Sequence, residues 1–219
     1  MEKQRTTDTL LVTISKTISS IFTPFIIPFG AFFILFIFSY LRIMPSQYKL
    51  IVLGIIFCFT IMMPMFTIYL FRKINHITAE ELGTRERRYF PYILTIISYV
   101  FCLFMMFRLS IPWYMTGIIL TALFIMIIFF IANLKWRLSE HMGGVGAVIG
   151  GVVSFGVLFG YNPVWWIALF VLTGGLLGSA RIISGNHTIG EVLFGFVIGL
   201  ACAMLVLHPA SNFYFRFFL

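Results

Sequence analysis

The sequence predicts an all-α fold, a polytopic bundle of about six to seven transmembrane helices. Three observations predict it. Hydrophobic residues make up 61% of the 219 positions and charged residues only 10%, whereas a soluble domain runs nearer ~45–50% and ~25%. Mean hydropathy is +1.05. The apolar residues, 27 phenylalanines among them, gather into runs close to the ~20 residues that a helix needs to cross hydrocarbon. A water-soluble fold of this size could not hide so much apolar surface. The composition excludes a soluble enzyme, a disordered chain and a secreted disulfide scaffold.

Taken in order, residues 1–20 are polar and mixed, with Lys3, Arg5 and Lys16. They lack the apolar stretch and cleavage site of a signal peptide. Leu10, Leu11, Ile14 and Ile18 are spaced as in an interfacial amphipathic helix. A single transmembrane domain is expected over 21–219. Apolar runs cover about 21–41, 50–71, 92–109, 114–134, 142–160, 164–180 and a last stretch ending near 207, seven candidate spans with one open to being interfacial or kinked. Pro24, Pro28 and Pro64 fall inside spans, which is tolerable where neighbouring helices satisfy the freed carbonyls. Gly160–Pro163 reads as a tight turn. Three small-xxx-small pairs, Gly146/Gly150, Gly174/Gly178 and Gly195/Gly199, let helix backbones approach closely.

Charges are scarce enough that each is informative. The 15 Lys and Arg exceed the 7 acids, giving +8. Because they lie between apolar runs, anionic headgroups and phosphates are the expected partners rather than nucleic acid. Ordinary positive loops flanking helices would also produce this surplus. Cys58, Cys102 and Cys202 lie inside apolar runs without a CxxC pair, so neither a disulfide framework nor a metal site is expected. Three polar segments, 72–91, 135–141 and 181–191, are each separated by two apolar runs. A pair of spans returns the chain to the same face, so all three are expected on one side of the membrane.

Chemistry concentrates in those segments. His187 and Glu191 are four apart and share a face if they open the last helix. A carboxylate beside an imidazole holds Nδ1–H and leaves Nε2 a lone pair, the arrangement of a nucleophile or base. Arg181 offers a fork of donors suited to a phosphoryl group. The alternative is structural: Thr188-x-x-Glu191 is a capping box pattern. His141 opens the fifth run, where it is placed either to give a proton to a leaving oxygen or simply to begin a helix. Ser139 adds a donor, while Lys135 and Arg137 read as interface anchors. Arg85 and Arg88 are three apart, with Arg87 and acids Glu80, Glu81 and Glu86 nearby. That stretch reads either as a phosphate site or as a self-paired surface.

Together the segments resemble the type 2 phosphatidic acid phosphatases, membrane lipid phosphate phosphatases with signatures Lys-x6-Arg-Pro, Pro-Ser-Gly-His and Ser-Arg-x5-His-x3-Asp. Ala180-Arg181-x5-His187-x3-Glu191 matches the third best, with Ala for Ser and Glu for Asp. Leu138-Ser139-Glu140-His141 keeps Ser and His of the second. The first is degenerate: Arg88 stands for its Arg, Glu81 occupies the Lys position, and proline comes only at Pro91. The resemblance covers about 72–200. It implies His187 as nucleophile forming a phosphohistidine, His141 as acid and then base, and Glu191 as the group orienting His187. It implies Arg181, Arg88 and Arg85 as phosphoryl ligands, with Ser139 assisting and no metal or other cofactor. The expected substrate is a lipid phosphomonoester or pyrophosphate entering from the bilayer. Two alternatives stand beside hydrolysis: a non-catalytic lipid-binding or transport protein, and a lipid phosphotransferase. The expected location is the inner (cell) membrane of a bacterium, with the side of the site left open.

Overall fold

A computed structural model describes residues 25–76 and 89–210. Every regular element in them is helical, and six helices are long and apolar enough to cross a membrane. The protein is an integral membrane protein, an all-α polytopic bundle. Its described residues fall into two compact units, one within 25–135 and one within 136–210.

In the first unit, the described residues of the run expected to span from 21 to 41 hold a 13-residue helix, α1 (Ile26–Phe38). At 1.5 Å per residue that is about 20 Å, short of the ~30 Å hydrocarbon core. Ser39 ends it. Its backbone turns extended, and its Oγ donates to the Leu35 carbonyl while accepting from the Leu41 N–H of a 3₁₀ turn. Next comes α2 (Ser46–Ile74), 29 residues long.

A π-turn, Cys58–Met62, interrupts α2 just before buried Pro64. Proline has no N–H and so cannot continue the i→i−4 ladder. One carbonyl at this irregular turn is served from the neighbouring helix: Ser98 Oγ donates to the Phe59 carbonyl. This is the compensation expected for a proline inside a span. Helices α3 (Tyr89–Arg108) and α4 (Trp113–Ala132) follow, joined by a turn in which Ser110 takes φ 52°.

The second unit contains α5 (Glu140–Phe159), α6 (Val164–Ile183) and α7 (Ile189–Leu207). α5 ends at Gly160, whose φ of 64° is left-handed, as the predicted turn requires. α5 and α7 pack backbone against backbone. A Cβ added at Gly146 would run into the Phe196 carbonyl, and one at Gly199 into the Gly143 carbonyl. Gly174 of α6 instead faces the Val145 side chain of α5, and Gly178 faces the side chains of Val192 in α7 and Met142 in α5. The predicted small-residue pairs are therefore packing devices, as small residues in membrane helices generally are. The sequence-predicted N-terminal segment, 1–20, lies outside the described residues.

Candidate functional site

The site is assembled within the second unit, where three short pieces of chain meet. These are residues 136–139 ahead of α5, the end of α6 with the loop after it, and the first turn of α7.

The loop is shaped by its backbone. α6 ends at Ile183, and Gly185 follows with φ 67°, a left-handed conformation that glycine adopts without a Cβ penalty. The Arg181 carbonyl then accepts from the N–H groups of both Asn186 (3.2 Å) and His187 (3.3 Å). Ser184 Oγ donates to the Ala180 carbonyl, and the Asn186 amide donates to Ser184 Oγ at 3.0 Å. The chain is folded back on the end of α6, and His187 arrives one residue before the cap of α7.

That cap is a complete capping box. Thr188 Oγ1 accepts from the Glu191 N–H, and Glu191 Oε2 accepts from the Thr188 N–H at 3.0 Å. The same Oε2 lies 3.2 Å from His187 Nδ1. The cap and the imidazole contact are thus not alternatives, because one carboxylate oxygen serves both. His187 itself stands outside the helix, so cap geometry brings it to Glu191 rather than a shared helical face.

His187 Nδ1 has a second neighbour, the Arg137 carbonyl oxygen at 3.1 Å. A carbonyl can only accept. Nδ1 therefore carries a hydrogen, shared between the Arg137 carbonyl and the Glu191 carboxylate. In the neutral ring this places the lone pair on Nε2. The His187 side chain is fully buried and that of Glu191 is 14% exposed; Nε2 itself is buried.

Residues 136–139 are held along α7. The Ser139 N–H donates to the Glu191 carbonyl at 3.2 Å. The Trp136 ring lies 4.7 Å from that of Phe194, and a Cβ added at Gly190 would come 3.1 Å from it. At Gly195 an added Cβ would come 2.7 Å from the Ser139 carbonyl. Ser139 is fully buried, and among the described residues its Oγ has no hydrogen-bond partner. Although it is the N-cap residue of α5, its side chain does not cap.

His187, Glu191 and Ser139 are therefore joined by direct hydrogen bonds. His141 stands half-buried in the first turn of α5, two residues beyond Ser139, and Arg181 stands half-buried in the last turn of α6. Arg85 and Arg88, with the whole charged stretch 77–88, lie outside the described residues. Arg137, read from the sequence as an interface anchor, instead presents its carbonyl to the imidazole. Its backbone does this, and a backbone contact leaves no trace in residue type. Among the described residues, no three His, Cys, Asp or Glu side chains gather as a metal site.

No family model, curated protein or solved structure matches the chain.

Proposed function

We propose that this integral membrane protein is a lipid phosphate phosphatase that works through a phosphohistidine on His187. One observation carries the reading: His187 Nδ1–H is held between two acceptors, which orients the ring and fixes the nucleophilic lone pair on Nε2. In the first step Nε2 attacks phosphorus, the bond from phosphorus to the lipid oxygen breaks, and His141 gives that oxygen a proton. In the second step His141 takes a proton from water, the oxygen attacks phosphorus, and the phosphorus–Nε2 bond breaks to release phosphate. Arg181 neutralises the transferring group, as fixed cations do best in a water-poor site. Glu191 stabilises the imidazole as it gains positive charge.

The substrate class is a lipid phosphomonoester or pyrophosphate, its tail in the bilayer and its headgroup at the polar segments. The location is the inner membrane of a bacterium. Nucleophile and acid must be imidazoles in opposite protonation states, so the pH–rate profile is expected to be bell-shaped.

The test is a phosphate-release screen of purified full-length protein across lipid phosphates and pyrophosphates. Release by the wild type and none by folded His187→Ala is the expected result. Undiminished release by His187→Ala removes the proposed nucleophile. Transfer of phosphate to an added alcohol in place of water identifies a phosphotransferase, and no turnover of any lipid leaves a binding protein.

A further inference from the structure

One acceptor of the His187 ring hydrogen belongs to residues 136–139, which have no regular secondary structure. Within the segment the Leu138 N–H donates to the Trp136 carbonyl. Its place in the bundle is set by α7, at two glycines that flank Glu191. The Trp136 ring lies over Gly190, where an added Cβ would come 3.1 Å from it, and against the Phe194 ring. At the other end, a Cβ added at Gly195 would come 2.7 Å from the Ser139 carbonyl oxygen and 3.3 Å from the Ser139 nitrogen. That nitrogen donates its hydrogen to the Glu191 carbonyl. The Arg137 carbonyl is carried between these two seated ends, and it reaches His187 Nδ1 at 3.1 Å.

We infer that Gly190 and Gly195 are positioning residues for His187. Having no side chain, they let residues 136–139 lie directly on α7, and this sets the distance from the Arg137 carbonyl to Nδ1. Gly195 has the larger part, because what it faces is backbone, which cannot swing aside as a side chain can. A methyl there must push the Ser139 carbonyl from 2.7 Å out to the 3.4 Å at which ordinary contact begins. The hydrogen bond two residues away is already near the long end of the ~2.7–3.2 Å range for N–H···O, so a shift of that size breaks it. The bond matters most during the reaction. As Nε2 bonds to phosphorus the ring gains positive charge, and its Nδ1–H becomes a stronger donor. An acceptor held in place for that moment lowers the barrier without tightening substrate binding. The effect on turnover rests on the proposed function, whereas the seating of the segment is read from the imidazole itself.

The test combines NMR of the purified full-length protein with kinetics on whichever lipid phosphate the release screen shows to be turned over fastest. Wild type is compared with Gly195→Ala, Gly190→Ala and Gly174→Ala, and the His187 Nδ1–H resonance is assigned by its absence from His187→Ala. Gly174 packs on the Val145 side chain and not on this segment, so it controls for loosened packing alone. Gly195→Ala is expected to move the Nδ1–H resonance upfield, since one of two acceptors is lost. Its kcat is expected to fall about 10–100-fold, the scale of a ~1 Å misplacement, with KM within about twofold. Gly190→Ala is expected to give a smaller change in the same direction, because the Trp136 ring can tilt. Gly174→Ala is expected to lower thermal stability while leaving the resonance and kcat in place. An unmoved resonance or an unchanged kcat in folded Gly195→Ala overturns the inference, and so does an equal shift in Gly174→Ala. Should Gly195→Ala fail to fold, Gly190→Ala decides: a moved resonance supports the inference and an unmoved one overturns it. A resonance that moves in Gly195→Ala, in a protein that releases phosphate from no lipid, keeps the positioning role and removes only the hydrolysis reading.

Discussion

The two units of the chain are packed by opposite means. The largest fully buried side chains, Phe32, Phe129, Ile56, Met106, Met115 and Ile119 first among them, all belong to residues 25–135. There, bulky side chains fill the spaces between helices. Within 136–210 the closest contacts are made by residues with almost no side chain: Gly146 and Gly199 bring α5 and α7 to backbone contact, and Gly195 brings α7 against Ser139. Side-chain packing tolerates small rearrangements, because rotamers can shift to refill a space. Backbone contact between helices has no such slack. The polar contacts around His187 lie in the unit with the less forgiving packing, which suits a site whose groups must hold their geometry to within about half an ångström.

Substitutions can break this contrast, beginning with the most disruptive. Gly199→Val should prevent normal packing of α5 on α7, at a cost of roughly 3 kcal/mol or more. The loss is expected to appear as little folded protein in detergent and a fall in thermal stability. A volume-conserving change in the other unit, Ile119→Leu, should cost less than about 1.5 kcal/mol. If the two variants were equally stable, the distinction between the units would be lost.

Glu191→Gln keeps an oxygen for the Thr188 N–H and so should change stability by less than about 1 kcal/mol. It removes the charge beside the imidazole, and kcat on a lipid phosphate should fall about 100-fold or more. A small change in kcat would assign Glu191 to the cap alone. Gly185→Ala forces a Cβ into a left-handed position, costing about 1–2 kcal/mol; because this turn delivers His187, activity should fall with it. Smallest is Ser98→Ala at the π-turn of the other unit. It removes one interhelical hydrogen bond, worth about 0.6 kcal/mol and at most ~1.7 in comparable membrane helices. Thermal unfolding should show that small shift with activity unchanged.

Much of the bundle was legible in the sequence because lipid makes hydropathy a direct record of position. Runs near 92–109, 114–134, 142–160 and 164–180 became helices with ends displaced by only a few residues. Of the seven candidate spans, one of them open to being interfacial or kinked, the first holds the short helix because Ser39 turns the chain by bonding its own backbone, and an average over twenty residues does not register one hydroxyl. The capping box at Thr188 and Glu191 was readable, being a matter of residue type at fixed spacing. The contact of His187 with the same carboxylate was anticipated from that spacing as well, though through a helical face that the structure replaces with a cap. What stayed hidden was Arg137. Its carbonyl is common to every residue, and only the fold shows which backbone atom reaches an imidazole fifty positions away.

The central claim is that His187 attacks phosphorus through Nε2, because Nδ1 is occupied by hydrogen-bonded N–H. The most direct measurement is rapid acid-free quenching of the full-length protein during turnover of a ³²P-labelled lipid phosphate, followed by mapping of the label and its ring position. The account predicts an acid-labile, alkali-stable phosphohistidine at residue 187 bearing phosphate on Nε2, absent from His187→Ala. Label on Nδ1, or on any other residue, would contradict it.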